Sequence, residues 1–454
     1  METWLSERLA KAIQDGEAQS LGVVAWRAGD LEINMVGASR AGGTESPTED
    51  SVYALGSVTK PYTAMAVLRL VVEGTLQLDG PVADWIPSVA QHGDVLAERL
   101  TVRHLLTHCC GLTGDWFVDR DPGIPNSADS LAEVARRLPE VPLMSAPGKR
   151  YSYSNLGMVL AGRLLEVVTS LSYERAMHEL VLDPLRLHGT GFTGEPPVLE
   201  HSVPSHNRID GRPNVNSWQP NRDDVRRTDV PSGGLFTSPR DLARWLQCHL
   251  TEGASTDQPG LWGRVVRMMR EPQPLVFGPK RSAVGVGWSM VAQNPLVLRH
   301  GGDMIGFLAC CALAPERGCA VGVLSNVEGS AGVMVEVERR LIEEVTGPVY
   351  VPPLEVSSDV ALGSYVGNYE VPPDRQYRID LRDGQLSITG GVAGSDSPTM
   401  PATGVRVIAP NWGVLERSAA WPMIVPFELG PDGQAEWVTI GGRAARRVQA
   451  IPAE

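Results

Sequence analysis

The chain has 454 residues, of which 43% are hydrophobic and 20% are charged, so it is long enough for two globular domains and too apolar to be mainly disordered. Its formal net charge is −13, and no basic stretch offsets the excess of 53 acidic over 40 basic residues. Because an acidic surface repels polyanions, the composition argues against nucleic acid as a partner.

The sequence shows neither a targeting signal nor a membrane-spanning segment. Residues 1–8 are charged and contain no apolar segment of signal-peptide length. The sequence also has no run of about 18 apolar residues, which a membrane-spanning helix needs. These features predict a cytoplasmic protein without a membrane partner.

The first part of the chain predicts a mixed α/β domain over residues 1–347. Residues 3–14 place apolar side chains at helical spacing, and two β-like runs, 21–26 and 31–36, flank a turn. Further helices are predicted over residues 57–73, 100–112, 155–170, 238–250 and 336–345, and further strands over 297–299, 309–313 and 320–324.

A compositional break follows, with prolines at 348, 352 and 353, and predicts a linker over residues 348–359. Residues 360–454 then form a second domain of short β-runs, with hairpin turns at Asp383-Gly384 and Asp432-Gly433. The strands are predicted over residues 365–369, 376–381, 385–389, 405–409, 414–417, 424–429 and 436–440. Many short strands at this spacing indicate a small antiparallel β-barrel.

Six cysteines are present, and they include two adjacent pairs but no C-x-x-C motif. This spacing does not predict a zinc site, and no other metal or cofactor is predicted. We expect the cysteines to be buried free thiols, and a disulfide within residues 310–319 is the alternative.

The first chemical motif is Gly56-Ser57-Val58-Thr59-Lys60-Pro61. A serine at a helix start and a lysine three residues on share one face, so the amine can reach the hydroxyl and activate it. The helix N-terminus also favours negative charge on the oxygen of an attacked carbonyl. An S-x-x-K motif alone is weak evidence, because a capping serine and a surface lysine give the same pattern.

Two later motifs strengthen this interpretation. Tyr153-Ser154-Asn155 precedes a predicted helix, where a tyrosine near a lysine can shuttle a proton and an asparagine can orient the lysine and a substrate amide. His300-Gly301-Gly302 follows an apolar run, and its two glycines let a substrate backbone approach closely. Each motif alone is also compatible with ordinary turn chemistry.

Together, in this order, the three motifs resemble the serine β-lactamase and penicillin-binding-protein superfamily, on its class C, DD-peptidase and esterase branch. The connecting segments that also resemble the family are residues 101–108, 147–148, 183–185 and 233–235. The resemblance as a whole covers about residues 5–345. Residues 365–369 and 383–386 resemble the lipocalin-like barrel that follows many of these hydrolases.

The resemblance implies an antiparallel sheet with an inserted helical lobe, followed by the barrel. It assigns Ser57 as the nucleophile, Lys60 as its activating partner and Tyr153 as the general base and acid. Asn155 then positions substrate, and His300 stands on the strand beside the site where many relatives have lysine. The backbone N–H groups of Ser57 and Asp303 correspond to the oxyanion hole, and Gly301 and Gly302 to the substrate-binding strand.

Two departures from the family pattern affect the predicted function. The histidine at 300 removes a fixed positive charge, which argues against binding of a β-lactam or peptide carboxylate. Cys109-Cys110 replaces the usual Thr-Ser, which we interpret as packing, and His104 and His108 are expected to be structural.

Four functions remain open. They are an exported carboxypeptidase or β-lactamase, a cytoplasmic D-stereospecific amidase, peptidase or esterase, a penicillin-binding-protein-type thioesterase that cyclises a nonribosomal peptide, and a binding protein with a dead site. We favour the thioesterase, acting on a small peptide or acyl substrate that is free or presented on a carrier protein.

The end of the barrel sequence carries Arg443, Arg446 and Arg447 after a Gly-Gly turn. Solvated surface charge is the simplest interpretation of these arginines. The functional hypothesis is that the barrel covers the mouth of the active site and that Arg446 projects toward Ser57. A guanidinium there would donate hydrogen bonds to substrate and replace the charge that His300 does not supply.

Overall fold

The first domain is built around a seven-stranded antiparallel sheet. The computed structural model describes residues 3–117, 123–220, 225–273, 283–349, 361–392, 400–415 and 423–448. The strands of this domain are β1 (Ser20–Arg27), β2 (Asp30–Gly37), β3 (Tyr53–Ala54), β4 (His206–Ile209), β5 (Arg212–Val215), β6 (Phe236–Thr237), β7 (Ala283–Val284), β8 (Ser289–Gln293), β9 (Leu296–Met304), β10 (Phe307–Ala314) and β11 (Cys319–Ser325). The order in the sheet is β2-β1-β11-β10-β9-β8-β7, and β3–β6 and β4–β5 form two small separate pairs.

Helices cover both faces of this sheet and form a lobe beside it. They are α1 (Thr3–Gln14), α2 (Thr59–Val72), α3 (Ser88–Gln91), α4 (Asp94–Arg99), α5 (Val102–Leu106), α6 (Ser130–Arg136), α7 (Asn155–Thr169), α8 (Tyr173–Met177), α9 (Pro196–His201), α10 (Val230–Gly233), α11 (Pro239–Leu250), α12 (Pro259–Arg270) and α13 (Ala331–Thr346). Because the sheet is covered on both sides, every residue of β10 and β11 is buried, and both strands are apolar apart from Ser325 at the end of β11.

The two faces of the sheet bury separate cores. On one face, α1 and α13 pack Leu9 and Leu341 against Val23 and Val321. On the other face, the larger core includes α2, which is buried on all sides from Thr59 to Leu68 because the helical lobe surrounds it. The motif that contains Ser57 and Lys60 therefore lies at the start of a helix that is enclosed by the core.

The second domain is a closed barrel of eight antiparallel strands. These strands are β12 (Gly367–Val371), β13 (Arg375–Arg382), β14 (Gln385–Val392), β15 (Met400–Ala409), β16 (Trp412–Leu415), β17 (Ile424–Leu429), β18 (Ala435–Ile440) and β19 (Arg443–Val448). Tyr369, Ile388, Val425 and Val438 fill its interior. Closure leaves no unpaired strand edge in the barrel.

The predicted fold class is confirmed, because a mixed α/β domain with a large antiparallel sheet precedes a small antiparallel barrel. One predicted helix is shorter than expected: residues 100–112 form α5 only, since His108 and Gly111 adopt positive φ angles and turn the chain. Residues 350–360, which include most of the predicted linker, and residues 416–417 of one predicted strand lie outside the described residues. The domain boundaries stay a prediction.

All six cysteines lie in described segments, and each is a buried free thiol, as expected. In the parts of the chain that the structure describes, no single helix is long and apolar enough to cross a membrane. One pair of segments, Asn155–Thr169 and Tyr173–Leu182, passes that test only when taken together, and it is bent by 80°.

Candidate active site

Ser57 lies in a single 3-10 turn, Gly56–Val58, that leads directly into α2. It is partly exposed, whereas its neighbours Gly56 and Val58 are buried. Gly56 has a φ of +50°, a conformation that glycine adopts without steric cost. This turn presents the Ser57 hydroxyl at the start of a helix whose body is fixed in the core.

Strand β9 crosses directly against the serine turn, and two glycines permit this contact. A Cβ atom at Gly302 would lie 2.0 Å from the carbonyl oxygen of Leu55 and 2.8 Å from the amide nitrogen of Ser57. A Cβ atom at Gly56 would lie 2.5 Å from the amide nitrogen of Asp303. The close approach brings together the segments that carry the two predicted oxyanion-hole amides, those of Ser57 and Asp303.

Lys60 is fully buried and directed at the serine. Its Nζ donates hydrogen bonds to Ser57 Oγ at 2.9 Å and to the carbonyl oxygen of Ser232, at the end of α10, at 2.7 Å. A buried ammonium is stable only when it is hydrogen-bonded. The carbonyl of Ser232, which the sequence did not indicate, therefore helps to hold the lysine against Ser57, the predicted nucleophile.

Tyr153 lies between the lysine and the barrel. The Nζ of Lys60 is 4.9 Å from the centre of the Tyr153 ring, and the guanidinium carbon of Arg443 is 5.2 Å from it. The His108 ring packs against it with a centre-to-centre distance of 4.5 Å. Two cations beside the ring would stabilise negative charge that develops on the tyrosine oxygen during proton transfer.

Asn155 begins α7 and is held by a carboxylate that the sequence analysis missed. Its Nδ2 donates to Asp115 Oδ1 at 2.9 Å, and both side chains are buried. Asp115 also accepts a hydrogen bond from Arg443 Nε at 2.6 Å. These partners lie 328 positions apart in the chain, so no local motif could have indicated the contact.

His300 faces the site from β9 as a buried, neutral side chain. Its Nδ1–H donates to the carbonyl oxygen of Gly301 at 2.8 Å. Burial, with a smaller contribution from the charge of Lys60, lowers the pKa of His300 to about 3. At neutral pH the third motif therefore supplies no positive charge, as the sequence suggested.

The two other histidines of interest have structural contacts. His104 Nδ1 accepts a hydrogen bond from the amide of Thr101 and closes the cap of α5. His108 Nδ1 accepts one from the amide of Ser154 at 3.1 Å. Burial, assisted by the charge of Lys60, holds the pKa of His108 well below its ordinary value. His108 thus supports the segment that carries Tyr153.

The barrel docks at the mouth of the site through the hairpin between β18 and β19. The amide of Tyr153 donates to the carbonyl oxygen of Gly442, at the tip of this hairpin, at 2.7 Å, and the amide of Ala444 donates to Ser152 Oγ at 3.2 Å. Gly441 and Gly442 both have positive φ, as a two-residue hairpin turn requires.

The predicted position of Arg446 is wrong, and Arg443 occupies the site instead. Arg446 is exposed on the outer wall of the barrel, with its guanidinium carbon 5.9 Å from the Trp437 ring centre. Side chains alternate along a strand, so residues three apart point to opposite sides. The burial of Arg443 lowers its pKa, but the charge and hydrogen bond of Asp115 outweigh this effect and raise the pKa overall.

The predicted residues other than Lys60 and Arg446 meet in one open cavity of about 890 Å³. Its lining includes Ser57, Tyr153, Asn155, His300, Gly301, Gly302, Asp303, Gly441 and Arg443. Its lining also includes Met334 and Val335 on α13. Within the described ranges, no group of histidine, cysteine or carboxylate side chains is arranged to hold a metal ion.

Residues 5–345 match the family described as Beta-lactamase. Penicillin-binding protein 4 of Amycolatopsis lactamdurans is 26% identical over 355 residues, which span 75% of this chain and 90% of that protein. Protein flp of Staphylococcus aureus strain N315 is 25% identical over 288 residues, and the match spans 62% of this chain but only 54% of that protein.

Solved structures extend the similarity to nearly the whole chain. The structures of SurE and of SurE with D-Leu each give a TM-score of 0.75 at 22% identity and cover 98% of this chain. They are covered over 98% and 99% of their own lengths. An octameric penicillin-binding protein homologue from Pyrococcus abyssi gives a TM-score of 0.63 at 19% identity, covering 97% of this chain and 99% of that one. At these identities the likeness to solved structures shows a shared fold. Because the family match spans residues 5–345, the chain belongs to the Beta-lactamase family of serine hydrolases.

Proposed function

We propose that the chain is a serine acyltransferase that acts on peptidyl esters or thioesters and releases a nonribosomal peptide by macrocyclisation through an acyl ester on Ser57. The observation that carries this proposal is the shared cavity. In it Ser57, which is bonded to Lys60, faces an arginine from the C-terminal barrel. The substrate would be a small peptide, free or attached to a carrier protein.

In the acylation step, Ser57 Oγ attacks the carbonyl carbon of the substrate and Tyr153 takes the hydroxyl proton. The charge of Lys60, 4.9 Å from the tyrosine ring, favours the phenolate that would accept this proton. The amides of Ser57 and Asp303 would receive the developing oxyanion. Tyr153 then returns the proton to the leaving thiol or alcohol, and an ester bond to Ser57 replaces the substrate bond.

In the second step, the amine at the other end of the same peptide attacks the acyl ester. The amine loses a proton to Tyr153, which passes it to Ser57 Oγ as the ester bond breaks and an amide forms. A cavity of about 890 Å³ lies in the upper part of the range of ligand pockets, which suits a folded peptide chain. Arg443 could donate to the peptide carbonyls in the cavity.

The neutral side chain at position 300 supports a peptidyl ester over a substrate with a free carboxylate next to the scissile bond. Burial lowers the pKa of His300 to about 3, so this side chain supplies no positive charge at physiological pH. This argues against a carboxypeptidase reaction, although one relative is named a penicillin-binding protein. SurE, which shares this fold, has been solved with D-Leu, and on this likeness the proposal includes a D-residue at the acylating end of the peptide.

A D-stereospecific amidase, peptidase or esterase is the second candidate, because Ser57 is partly exposed and water can reach the same acyl ester. The D-Leu in a similarly folded protein suits this activity equally well. The two functions differ only in the acceptor, which is an amine in one case and water in the other.

The deciding experiment is incubation with a peptidyl thioester that has a free N-terminal amine, read by mass spectrometry. We expect the cyclic product from a peptide that ends in D-leucine, and less product from the L-leucine isomer. The N-acetylated peptide, which cannot cyclise, and the Ser57→Ala variant are the controls. Linear acid as the only product of the free-amine peptide would replace the cyclase by the hydrolase.

A further inference from the structure

Asp115 is a buried carboxylate at the junction of the two domains, and its two oxygens have different partners. Oδ1 accepts the Asn155 amide at 2.9 Å, within the first domain. Oδ2 accepts Arg443 Nε at 2.6 Å and pairs with a terminal nitrogen of Arg375 at 3.3 Å, and both arginines belong to the barrel. The side chain of Asp115 keeps only 10% of its accessible surface.

These contacts fix two groups that face the cavity. The bond to Asp115 uses the Nδ2 of Asn155 and thereby sets which way the amide points. The bond to Arg443 uses Nε and sets the plane of the guanidinium, which lies over the Tyr153 ring and lines the cavity. One carboxylate therefore orients a polar group from each domain.

We propose that Asp115 is a positioning residue that joins the docking of the barrel to acyl transfer at Ser57. It does so by holding Asn155 and Arg443, which both line the cavity beside Tyr153, as one unit. The inference rests on the proposed function, in which Arg443 donates to the peptide, and on the predicted role of Asn155 in positioning substrate.

The physical reason is the cost of burying a charge. A buried carboxylate without cationic partners is strongly unfavourable, so Asp115 requires the arginines of the barrel. Arg443 and Arg375 reach it from strands β19 and β13, so both approach only when the barrel is docked. The same contact that stabilises docking thus completes the substrate site.

The interface between the domains also contains an ion pair away from the site, which serves as a control. Arg150 makes two hydrogen bonds to Glu428, at 2.7 and 2.6 Å, and its guanidinium carbon lies 4.2 Å from the Trp437 ring centre. Glu428 is half exposed, and neither residue lines the cavity. Substitution of Glu428 therefore perturbs docking without touching the substrate site.

The test compares Asp115→Asn, Arg443→Gln, the double variant and Glu428→Gln in the full-length protein. We expect Asp115→Asn and Arg443→Gln each to lower kcat/KM for a long peptidyl thioester by about 10- to 100-fold, as loss of a charged hydrogen bond does. The double variant should lose no more than about the larger single loss, because the two residues act as one unit. Glu428→Gln should stay within about twofold of the wild type.

Activity on a small activated ester distinguishes a failure of the Asp115 role from a failure of the proposed function. Both single variants should lose less activity on the small ester than on the long thioester, since the small ester does not reach the barrel. Additive losses in the double variant, or an equal loss from Glu428→Gln, would reduce Asp115 to a docking contact and overturn the inference. A wild-type protein that forms no acyl ester on Ser57 would instead refute the proposed function.

If Asp115→Asn does not fold, Asp115→Glu provides a second test. This variant keeps the charge but moves the carboxylate by one methylene group, so the protein should fold while the two bonds lose their geometry. The inference expects a loss on the long substrate that exceeds the loss on the small ester. No loss, or an equal loss on both substrates, would contradict it.

Discussion

At the scale of single residues, the site depends on how buried polar groups are partnered. Lys60 is fully enclosed, and it donates hydrogen bonds to Ser57 Oγ and to the Ser232 carbonyl, which hold it at the predicted nucleophile. Tyr153 is placed beside this cation and beside Arg443. This arrangement favours Tyr153, rather than the bonded lysine, as the group that moves the proton.

Tyr153→Phe tests this assignment. The variant keeps the ring that packs on His108 but lacks the hydroxyl, so the fold should persist while kcat falls by about 10²- to 10⁴-fold. Steady-state kinetics with an activated ester and a circular dichroism spectrum measure the two effects. Unchanged turnover in a folded variant would assign the base role to Lys60 alone.

The buried histidines predict a loss of stability in acid. Burial lowers the pKa of both His249 and His300 from 6.5 to about 3, so above pH 6.5 neither the folded nor the unfolded chain binds these protons. Between pH 6.5 and 3 only the unfolded chain binds them, and the free energy of unfolding falls as the pH falls. Urea titrations at pH 7 and 5 should show His249→Gln losing about 2 kcal/mol less than the wild type. An equal loss in both proteins would contradict this cause.

At the scale of elements, the predicted oxyanion site depends on the crossing of β9 over the serine turn. Gly302→Ala should force the strand away from the turn, because the added methyl group would overlap backbone atoms of Leu55 and Ser57. We expect labelling of Ser57 by a fluorophosphonate to slow by more than about 100-fold, as for loss of an oxyanion donor. At Gly301 the nearest atom to a new Cβ is 3.7 Å away, so Gly301→Ala is the matched control and should cost far less. Equal effects of the two substitutions would contradict the geometry.

The sequence predicted the elements that carry local signals. The S-x-x-K, Y-x-N and H-G-G motifs are short, and the turns before α2 and α7 follow from residues close in the chain. The Asp115–Arg443 bond could not be predicted, because no spacing rule relates a loop to a strand 328 positions away. The sequence alone does not distinguish Arg446 from Arg443, because it does not reveal the strand register. In the structure Ala445 packs in the barrel interior, so its exposed neighbour Arg446 lies on the outer wall.

The corrected position of the arginine leads to a paired prediction at this scale. Arg443→Ala should lower kcat/KM for a long peptidyl thioester by about 10- to 100-fold, as Arg443→Gln should, since it removes a charged donor from the cavity. Arg446→Ala, on the opposite side of the same strand, should leave turnover unchanged. Kinetic constants for the two variants under one set of conditions decide the matter, and a larger effect at Arg446 would contradict the structure.

At the scale of the whole molecule, the site is built by two domains that are distant in sequence. The first domain supplies Ser57, Tyr153 and the glycine-rich strand, and the barrel supplies Gly441 and Arg443. The barrel thus forms part of the cavity wall.

The central claim is that Ser57 carries the acyl group, and mass spectrometry tests it most directly. The full-length protein is mixed with a fluorophosphonate or an activated acyl ester, and the adduct is located by peptide mapping, with Ser57→Ala as the control. We predict one adduct per chain, on Ser57, and none in the variant. Modification at another residue, or no modification of the wild-type protein, would contradict the assignment of Ser57 as the nucleophile.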